Sequence, residues 1–590
     1  MYFNQLAECY KELENVSSRL KMVDILAELL KELQPKEIKA TIYMTQGVLL
    51  PPFEGVEFGV AEKMVEEAIS AATGIGKKEI EDMFKKYGDF GEVAKKCVED
   101  SKLKAIKTKV YSIEEVYSLL YEIATISGTG SKASKISKIA SIIISSTPLE
   151  AKYITRYILG ELRLGVGDAT ILEALSIAFT GSREAKAILE NAYNLCNDLG
   201  YIGEELATSG IDKLKDFKVT LFKPIKPALA ERLPTAEEIL EKMHGKCAVE
   251  QKYDGFRCQI HKNKDKIKIY SRNLEETTSM FPDIAKAVIN EVKAESVIFE
   301  GEALAFNEVT GEFHPFQETI QRKRKHQIYE KIEELPLHLF AFDIMYLNGK
   351  SYIEEPYETR RKTLEPLIEG SAKIKPTKRI IATTPKELDE FFEESVGNGL
   401  EGIVAKDLSA PYTPGARKFS WIKMKRSYKG VLSDTLDLVI VGYFRGKGSR
   451  AEFGFGGLLC AVYNKEKDMF ETISKIGTGF TESNMEAFHE LLQKIVTKTK
   501  PARVDSIATP DFWVEPKYVI IVKADEITRS PMHTCGREID SNGVESGYAL
   551  RFPRIIGNGF IRKDKNPEDA TTTKEIIEMY KQQKRVQAGE

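Results

Sequence analysis

The sequence predicts a multidomain chain with an all-helical first part, an α+β middle and an all-β last part. Three observations predict it. At 590 residues the chain exceeds what one hydrophobic core organises, at roughly 100–200 residues per domain. Apolar residues recur at helical spacing up to about residue 215, and short β-rich runs dominate from Cys247 onward. Between them lies KPIKPALAERL, whose prolines read as a connector. The boundaries fall at 1–215, 216–428 and 429–590.

In the first part, LAECYKELENVSSRLKMVDILAELLKEL repeats apolar residues at three and four. VEEAISAATGI, EEVYSLLYEIATISG and EAKYITRYILGEL repeat the pattern, punctuated by STPLEA and GVGDAT. In the middle, RCQIHKNKDKIKIYSR predicts two strands around a basic turn. SVIFEGEALAF, LHLFAFDIMYL and EGIVAKD predict further strands and PKELDEFFEES a helix, an α+β mixture without regular βαβ alternation. From Asp434 come DTLDLVIVGYF, GGLLCAVYN, MFETISKIG and WVEPKYVIIVKADEI. Short strands at that density fit a small closed barrel such as an OB-fold. TTTKEIIEMYKQQKRVQAGE closes the chain as a capped helix with a polar end.

Net charge is −3, so bulk charge does not point to nucleic acid, and only local basic clusters do. No run of ~18 apolar residues spans a membrane, and the first residues lack a signal-peptide order. A cytoplasmic protein is expected. The seven cysteines are scattered without a CxxC pair, which argues against a zinc site or a disulfide framework.

Seven runs carry candidate chemistry. In KYDGFR, Lys252 lies between β-like runs, followed by Asp254, Gly255 and Arg257. A lysine amine attacks phosphorus only when neutral, which burial or nearby cations favour. Gly255 would let backbone approach a ligand, and Arg257 would fork onto a phosphate or ribose. A hairpin with solvated charges is the bland alternative. In FEGEALAF, period two puts Glu300 and Glu302 on one face, where buried carboxylates need cations or a metal. In WIKMKR, Lys423 and Lys425 share a face and repel unless an anion sits between them, although lysines also protect edge strands. AFDIMY offers Phe342 as a ring that stacks on a base or simply fills the core. EGIVAK adds Glu401 and Lys406. RKRKHQ, from Arg322, is a basic run able to follow a DNA backbone. GTGSKASK sets Lys132 before a helix, as a phosphate site or a plain capped turn.

In order, KYDGFR, SRN, FEGEALAF, AFDIMY, EGIVAK and WIKMK resemble the motif series of the covalent nucleotidyltransferases. RYILGELRLGVGDATILEAL, HPFQETIQRKRK, WVEPKYV and LRFPR narrow the resemblance to the three-domain replicative ATP-dependent DNA ligases of archaea and eukaryotes. The resemblance implies a helical DNA-binding domain, an adenylation (nucleotidyltransferase) domain and an OB-fold domain. It implies that Lys252 becomes adenylylated and that Glu250 holds the adenine amino group. Arg257 and Arg272 would contact ribose and phosphate, and Phe342 would stack on adenine. Glu302 would bind the ribose hydroxyl and, with Glu401, place Mg²⁺ or Mn²⁺. Lys423 and Lys425 would contact the α-phosphate of ATP, with Arg417 supporting the nucleotide phosphates. Phe316 and Phe552 would press into the minor groove. Arg551 and Arg554 would orient the leaving pyrophosphate. The chain departs from the family pattern in RFPRIIGNGFIRKDK, which carries extra residues and Phe560 where a basic residue is common. Arg554, Arg562 and Lys565 all remain candidates for reaching the phosphates.

The implied substrate is nicked double-stranded DNA, joined by a monomer in replication, repair and recombination, with a sliding clamp as partner by analogy. ADP, GTP and NAD are alternatives to ATP on these residues alone. An RNA ligase or capping enzyme would share the lysine chemistry, but the long helical domain and the LRFPR tail argue against both.

Overall fold

The computed structural model describes residues 1–101, 109–306, 336–398, 400–425, 435–446, 453–539, 545–556, 561–562 and 564–588. Contacts divide the chain into two compact units, Met1–Phe392 with Ile403–Lys423, and Glu393–Gly402 with Met424–Glu590. Among the described residues no helix is long and apolar enough to cross a membrane.

The first unit begins with helices from Phe3–Glu14 to Asp212–Lys215. Their ends are written locally. Pro148–Ile158 starts at Thr147, whose hydroxyl accepts from the Glu150 amide (3.3 Å) while the Glu150 carboxylate accepts from the Thr147 amide (2.8 Å). This capping box, with Pro148 in the first turn, satisfies donors the helix cannot pair internally. The helices close over one apolar cluster that runs from Phe3 to Leu214.

The middle region carries strands β1 (Leu229–Arg232), β2 (Cys247–Lys252), β3 (Phe256–Asn263), β4 (Lys266–Tyr270), β5 (Ser296–Ala305), β6 (Leu337–Leu347), β7 (Lys350–Ser351), β8 (Ile374–Pro376), β9 (Arg379–Ala382), β10 (Gly402–Lys406) and β11 (Arg417–Lys425). They form two sheets, one ordered β1-β11-β10-β2-β9 and the other β4-β3-β5-β6-β7 with β8 beside β6. Helices Pro282–Glu291 and Tyr357–Ile368, which the strand-centred reading passes over, pack on the second sheet. Lys262 serves the first of them. Its ammonium donates to the carbonyls of Ile289 (3.1 Å) and Val292 (2.9 Å), the last-turn acceptors that a helix leaves open.

The stretch 217–228 has no regular structure but is tied to β3. Gln259 exchanges hydrogen bonds with the backbone of Ile225 (2.7 and 2.8 Å), and the Phe222 amide donates to His261 Nδ1 (2.9 Å). Burial drives the His261 imidazole down to about 3, so it stays neutral.

The second unit is built on β12 (Leu436–Phe444), β13 (Gly457–Asn464), β14 (Met469–Ile476), β15 (Val496–Thr497), β16 (Val504–Asp505), β17 (Phe512–Val514), β18 (Val519–Lys523), β19 (Glu526–Ser530), β20 (Glu538–Ile539), β21 (Glu545–Arg551) and β22 (Arg554–Ile555). One sheet follows β15-β17-β12-β13-β14-β16, with β18 joining β12 to β22, and a smaller one follows β19-β21-β20. The region is not purely β. Helix Glu482–Gln493 buries Met485, Phe488 and Leu492 at helical spacing, a stripe that a reading for strands overlooks. The C-terminal helix Thr573–Ala588 is docked, because the Gln583 amide pairs with both backbone groups of Ile527 on β19 (2.9 Å each).

Candidate active site

β2 alternates, so Glu250 and Lys252 project from the same face. Glu250 is buried and Lys252, at the strand end, is partly exposed. The chain then turns at once into β3, and Gly255 makes that turn possible. A Cβ on Gly255 would stand 2.5 Å from the Ala303 carbonyl oxygen and 2.9 Å from the Leu304 side chain. The glycine therefore permits close approach to β5 itself, where the sequence suggested approach to a ligand. Its amide donates to Glu302 Oε1 at 3.2 Å.

The β3–β5 register places Arg257 opposite Glu302 and Gln259 opposite Glu300. The two glutamates have separate fates. Glu300 is fully buried and accepts from Arg257 Nη2 (2.8 Å), Arg257 Nε (3.3 Å) and the Tyr412 hydroxyl (2.8 Å). Arg257 spends its remaining nitrogen on the Ala228 carbonyl (2.9 Å), and its guanidinium lies 5.4 Å from the Phe342 ring centroid. Glu302 is partly exposed beside Lys252. Burial raises its carboxyl to about 7, against the opposing pull of Lys252, Arg257 and the Gly255 amide.

Between its ordinary 4.5 and about 7, folded Glu302 keeps a proton that the unfolded chain has released. Stability from this group therefore falls as pH rises through that window. In metal-free buffer, Glu302→Gln should flatten the decline in unfolding temperature across that range. Equal slopes in the two proteins would refute the assignment.

Behind Lys252 lies a second charged cluster. The Glu250 carboxylate accepts from Lys406 Nζ (2.9 Å), Arg361 Nη1 (3.4 Å) and the Tyr357 hydroxyl. Lys406 is buried, donates to the Phe342 carbonyl (3.1 Å), and sits 4.3 Å from the Trp421 and 4.9 Å from the Phe342 ring centroids. Burial lowers its ammonium, and Glu250 and Asp343 oppose that shift. Next to Phe342, Asp343 takes both Arg360 Nε (2.6 Å) and Nη2 (3.0 Å) in a fully buried bidentate pair. Phe342 itself is half-buried and meets Trp421 edge-on at 6.0 Å.

Tyr357, Arg360, Arg361 and Tyr412 are site residues that the sequence reading missed. A signal existed for three of them. Tyr357, Arg360, Arg361 and Leu364 stand at i, i+3, i+4 and i+7, the buried stripe of their helix. Two arginines on such a stripe require buried acids.

The other predicted residues fall as follows. Lys423 on β11 is partly exposed and stands opposite Arg232 of β1. Lys425 and Glu401 belong to the second unit, where they form an ion pair. Arg417 opens β11. Arg272 is exposed and lines a cleft of about 450 Å³ with Lys226, Tyr193 and Asn197. Lys132 is exposed, 3.5 Å from Glu67. In the second unit, Arg551 pairs with Glu526 (2.5 Å) and Arg554 with Asp525 (2.9 Å). Arg562 and Lys565 share Asp437, at 3.2 and 2.6 Å. Phe552 is 62% exposed at φ 51°. Phe316 and Arg322 lie outside the described residues.

Residues 227–425 match the ATP dependent DNA ligase domain, residues 2–176 the DNA ligase N terminus, and residues 451–565 the ATP dependent DNA ligase C terminal region. The DNA ligase of Hyperthermus butylicus is 43% identical over 601 aligned positions, covering 99% of this chain and 98% of that protein. The chain belongs to the ATP-dependent DNA ligase family. This ligase is also similar to a probable DNA ligase of Dictyoglomus turgidum, 48% identical over 100% of the chain and 99% of the relative. The DNA ligase of Saccharolobus solfataricus is 42% identical, covering 99% and 98%. Among solved structures, Pmar-Lig_Pre. covers 94% of the ligase and 99% of its own chain at a TM-score of 0.56 and 16% identity, a likeness of fold alone. The ligase is thus an enzyme that uses ATP and joins DNA.

Proposed function

We propose that this ligase carries AMP on Lys252 and seals nicks bearing a 5′-phosphate and a 3′-hydroxyl in duplex DNA. The observation that carries the reading is Lys252 at the end of β2, with Glu250 two residues back on the same face and Glu302 within electrostatic reach. The neutral amine attacks the α-phosphorus of ATP. A phosphorus–nitrogen bond forms, the bond to pyrophosphate breaks, and the amine proton leaves to solvent. The adenylate then passes to the 5′-phosphate of the nick, and the 3′-hydroxyl displaces AMP. Each transfer needs in-line geometry and charge neutralisation more than acid–base work.

In this reading Glu250 faces the adenine amino group and Phe342 stacks on the base. Arg257 and Arg272 contact ribose and phosphate, and Glu302 binds the ribose hydroxyl. Lys423, Lys425 and Arg417 supply positive field at the phosphates. Arg551 and Arg554 orient the pyrophosphate once they leave their acidic partners, and exposed single pairs of that kind cost little to open. Phe552 and Phe316 enter the minor groove, while Lys132 and Arg322 meet the backbone.

Carboxylate oxygens suit a hard divalent cation, and Glu302, whose charged form burial disfavours, fits one chemically. Mg²⁺ or Mn²⁺, held by Glu302 and Glu401, would neutralise phosphate charge. The reading includes a helical DNA-binding domain (1–215), an adenylation domain (216–428) and an OB-fold domain (429–590), acting as a monomer with a sliding clamp by analogy. Apolar clusters confined to the helical, middle and C-terminal parts support that division, and a further cluster is shared by the helical and middle parts.

Incubation with α-labelled ATP, followed by a chase with nicked DNA or nicked RNA, tests the proposal. Label should appear on the protein and move to nicked DNA. A protein that takes no label, or passes it only to RNA, would defeat it.

A further inference from the structure

One turn of helix Lys186–Cys196 reaches from the helical region into the strands that carry the phosphate-binding candidates. Leu195 is buried in the same apolar cluster as Ile225, Ala228, Tyr412 and Trp421. Beside it, Asn194 grips two separate chain segments. Its backbone carbonyl accepts from the Lys226 amide (2.8 Å), and its side-chain amide donates to the Pro414 carbonyl (3.1 Å). The fit at the second contact is close. Gly415 holds φ +69°, and a Cβ there would stand 2.9 Å from Asn194 Oδ1. Tyr193 secures the same junction, its hydroxyl donating to Asp168 (2.7 Å) and its ring lying 3.9 Å from the Lys226 ammonium.

The two segments are the entries to neighbouring strands. Lys226 leads into β1 and Pro414 into β11, and the strands run parallel with Leu229 opposite Arg417 and, past a register shift between Ala230 and Glu231, Arg232 opposite Lys423. The Leu229 amide donates to the Ala416 carbonyl (3.0 Å), closing the pair just beyond the Asn194 contacts. The first segment also contains Ala228, whose carbonyl holds Arg257 and whose amide donates to the Tyr412 hydroxyl (2.9 Å). A shift at Asn194 is therefore passed to Lys423 along β11 and to Arg257 through Ala228.

We infer that Asn194, although it belongs to the helical region, is a positioning residue for the nucleotide: it sets where β11 and the 226–228 segment present Lys423 and Arg257. The inference rests on the reading of those two residues as nucleotide contacts. It makes the helical region part of the first, DNA-independent half-reaction.

The test uses two full-length variants. Asn194→Asp keeps the shape but turns an acceptor toward the Pro414 carbonyl, whereas Asn194→Ala removes the contact. The KM for ATP in self-adenylylation should rise roughly tenfold in Asn194→Asp, about the worth of one net hydrogen bond, and less in Asn194→Ala. The kcat and the affinity for nicked duplex should stay near those of the parent. An unchanged KM in Asn194→Asp overturns the inference. So does a larger rise in Asn194→Ala, because a packing role is spared by the isosteric residue and lost with the small one. Mapping the label in the same samples keeps the underlying reading separate. Label on Lys252 with an unmoved KM rejects Asn194 alone, and label elsewhere rejects the Lys252 reading.

Discussion

Lys252→Ala should abolish labelling by α-labelled ATP and joining of nicks from ATP, yet still close a nick whose 5′-phosphate already carries adenylate. The amine is the nucleophile of the first transfer and the carrier in the second, and it takes no bond in the third. Removing a nucleophile leaves only the binding and electrostatic contributions, so the first step should drop to the uncatalysed background. The closing step should fall by no more than roughly tenfold, because Lys423 and Glu302 remain to hold the adenylate. Single-turnover assays on the two substrates separate the steps. If the variant lost both equally, Lys252 would be a structural or phosphate-binding lysine, and the covalent intermediate would lie elsewhere.

The largest stability effect should come from Asp343→Ala. Asp343 and Arg360 are fully buried, and Arg360 also donates to the carbonyls of Glu355 (2.6 Å) and Ala410 (3.1 Å). Removing the carboxylate strands a guanidinium that has no route to water. The cost of breaking such a pair is about 3–5 kcal/mol. Urea unfolding of the variant should show an early transition, followed by tryptophan fluorescence, since Trp421 packs beside Phe342. The double variant Asp343→Ala with Arg360→Met should recover much of the loss, because a paired buried charge and a well-packed apolar residue are close in free energy. A single variant within about 1 kcal/mol of the parent would show that water reaches Arg360.

These two predictions draw on features that were unequally legible in the sequence. Period two placed Glu300 with Glu302, and Lys423 with Lys425, on shared faces, because strand alternation is a local property. It could not say which glutamate would be consumed. That depends on the β5–β6 pairing, which shifts register between Glu300 and Gly301, and on Tyr412 arriving from more than a hundred residues away. Gly255 was legible as a backbone requirement, while the partner it approaches, β5, was not. The helix Tyr357–Ile368 carried a readable stripe, but its arginines look like solvent residues until the acids opposite them are known.

The prolines of KPIKPALAERL read locally as a connector. In the fold, Gln259 binds its Ile225 and Asn194 its Lys226, and the helical and middle regions fall into one compact unit. Tertiary hydrogen bonds of that kind leave no periodic trace. The stripe Met485, Phe488 and Leu492 did leave one, and a search for barrel strands alone passed over it.

The central claim is that one lysine carries the adenylate, and peptide mass mapping after brief incubation with ATP tests it most directly. Trypsin cannot cut after a modified Lys252, so the account predicts an uncleaved peptide, residues 247–257, heavier by one adenylate and absent without ATP. An adenylate found on any other peptide, or none on this one in a protein that seals nicks, would contradict it.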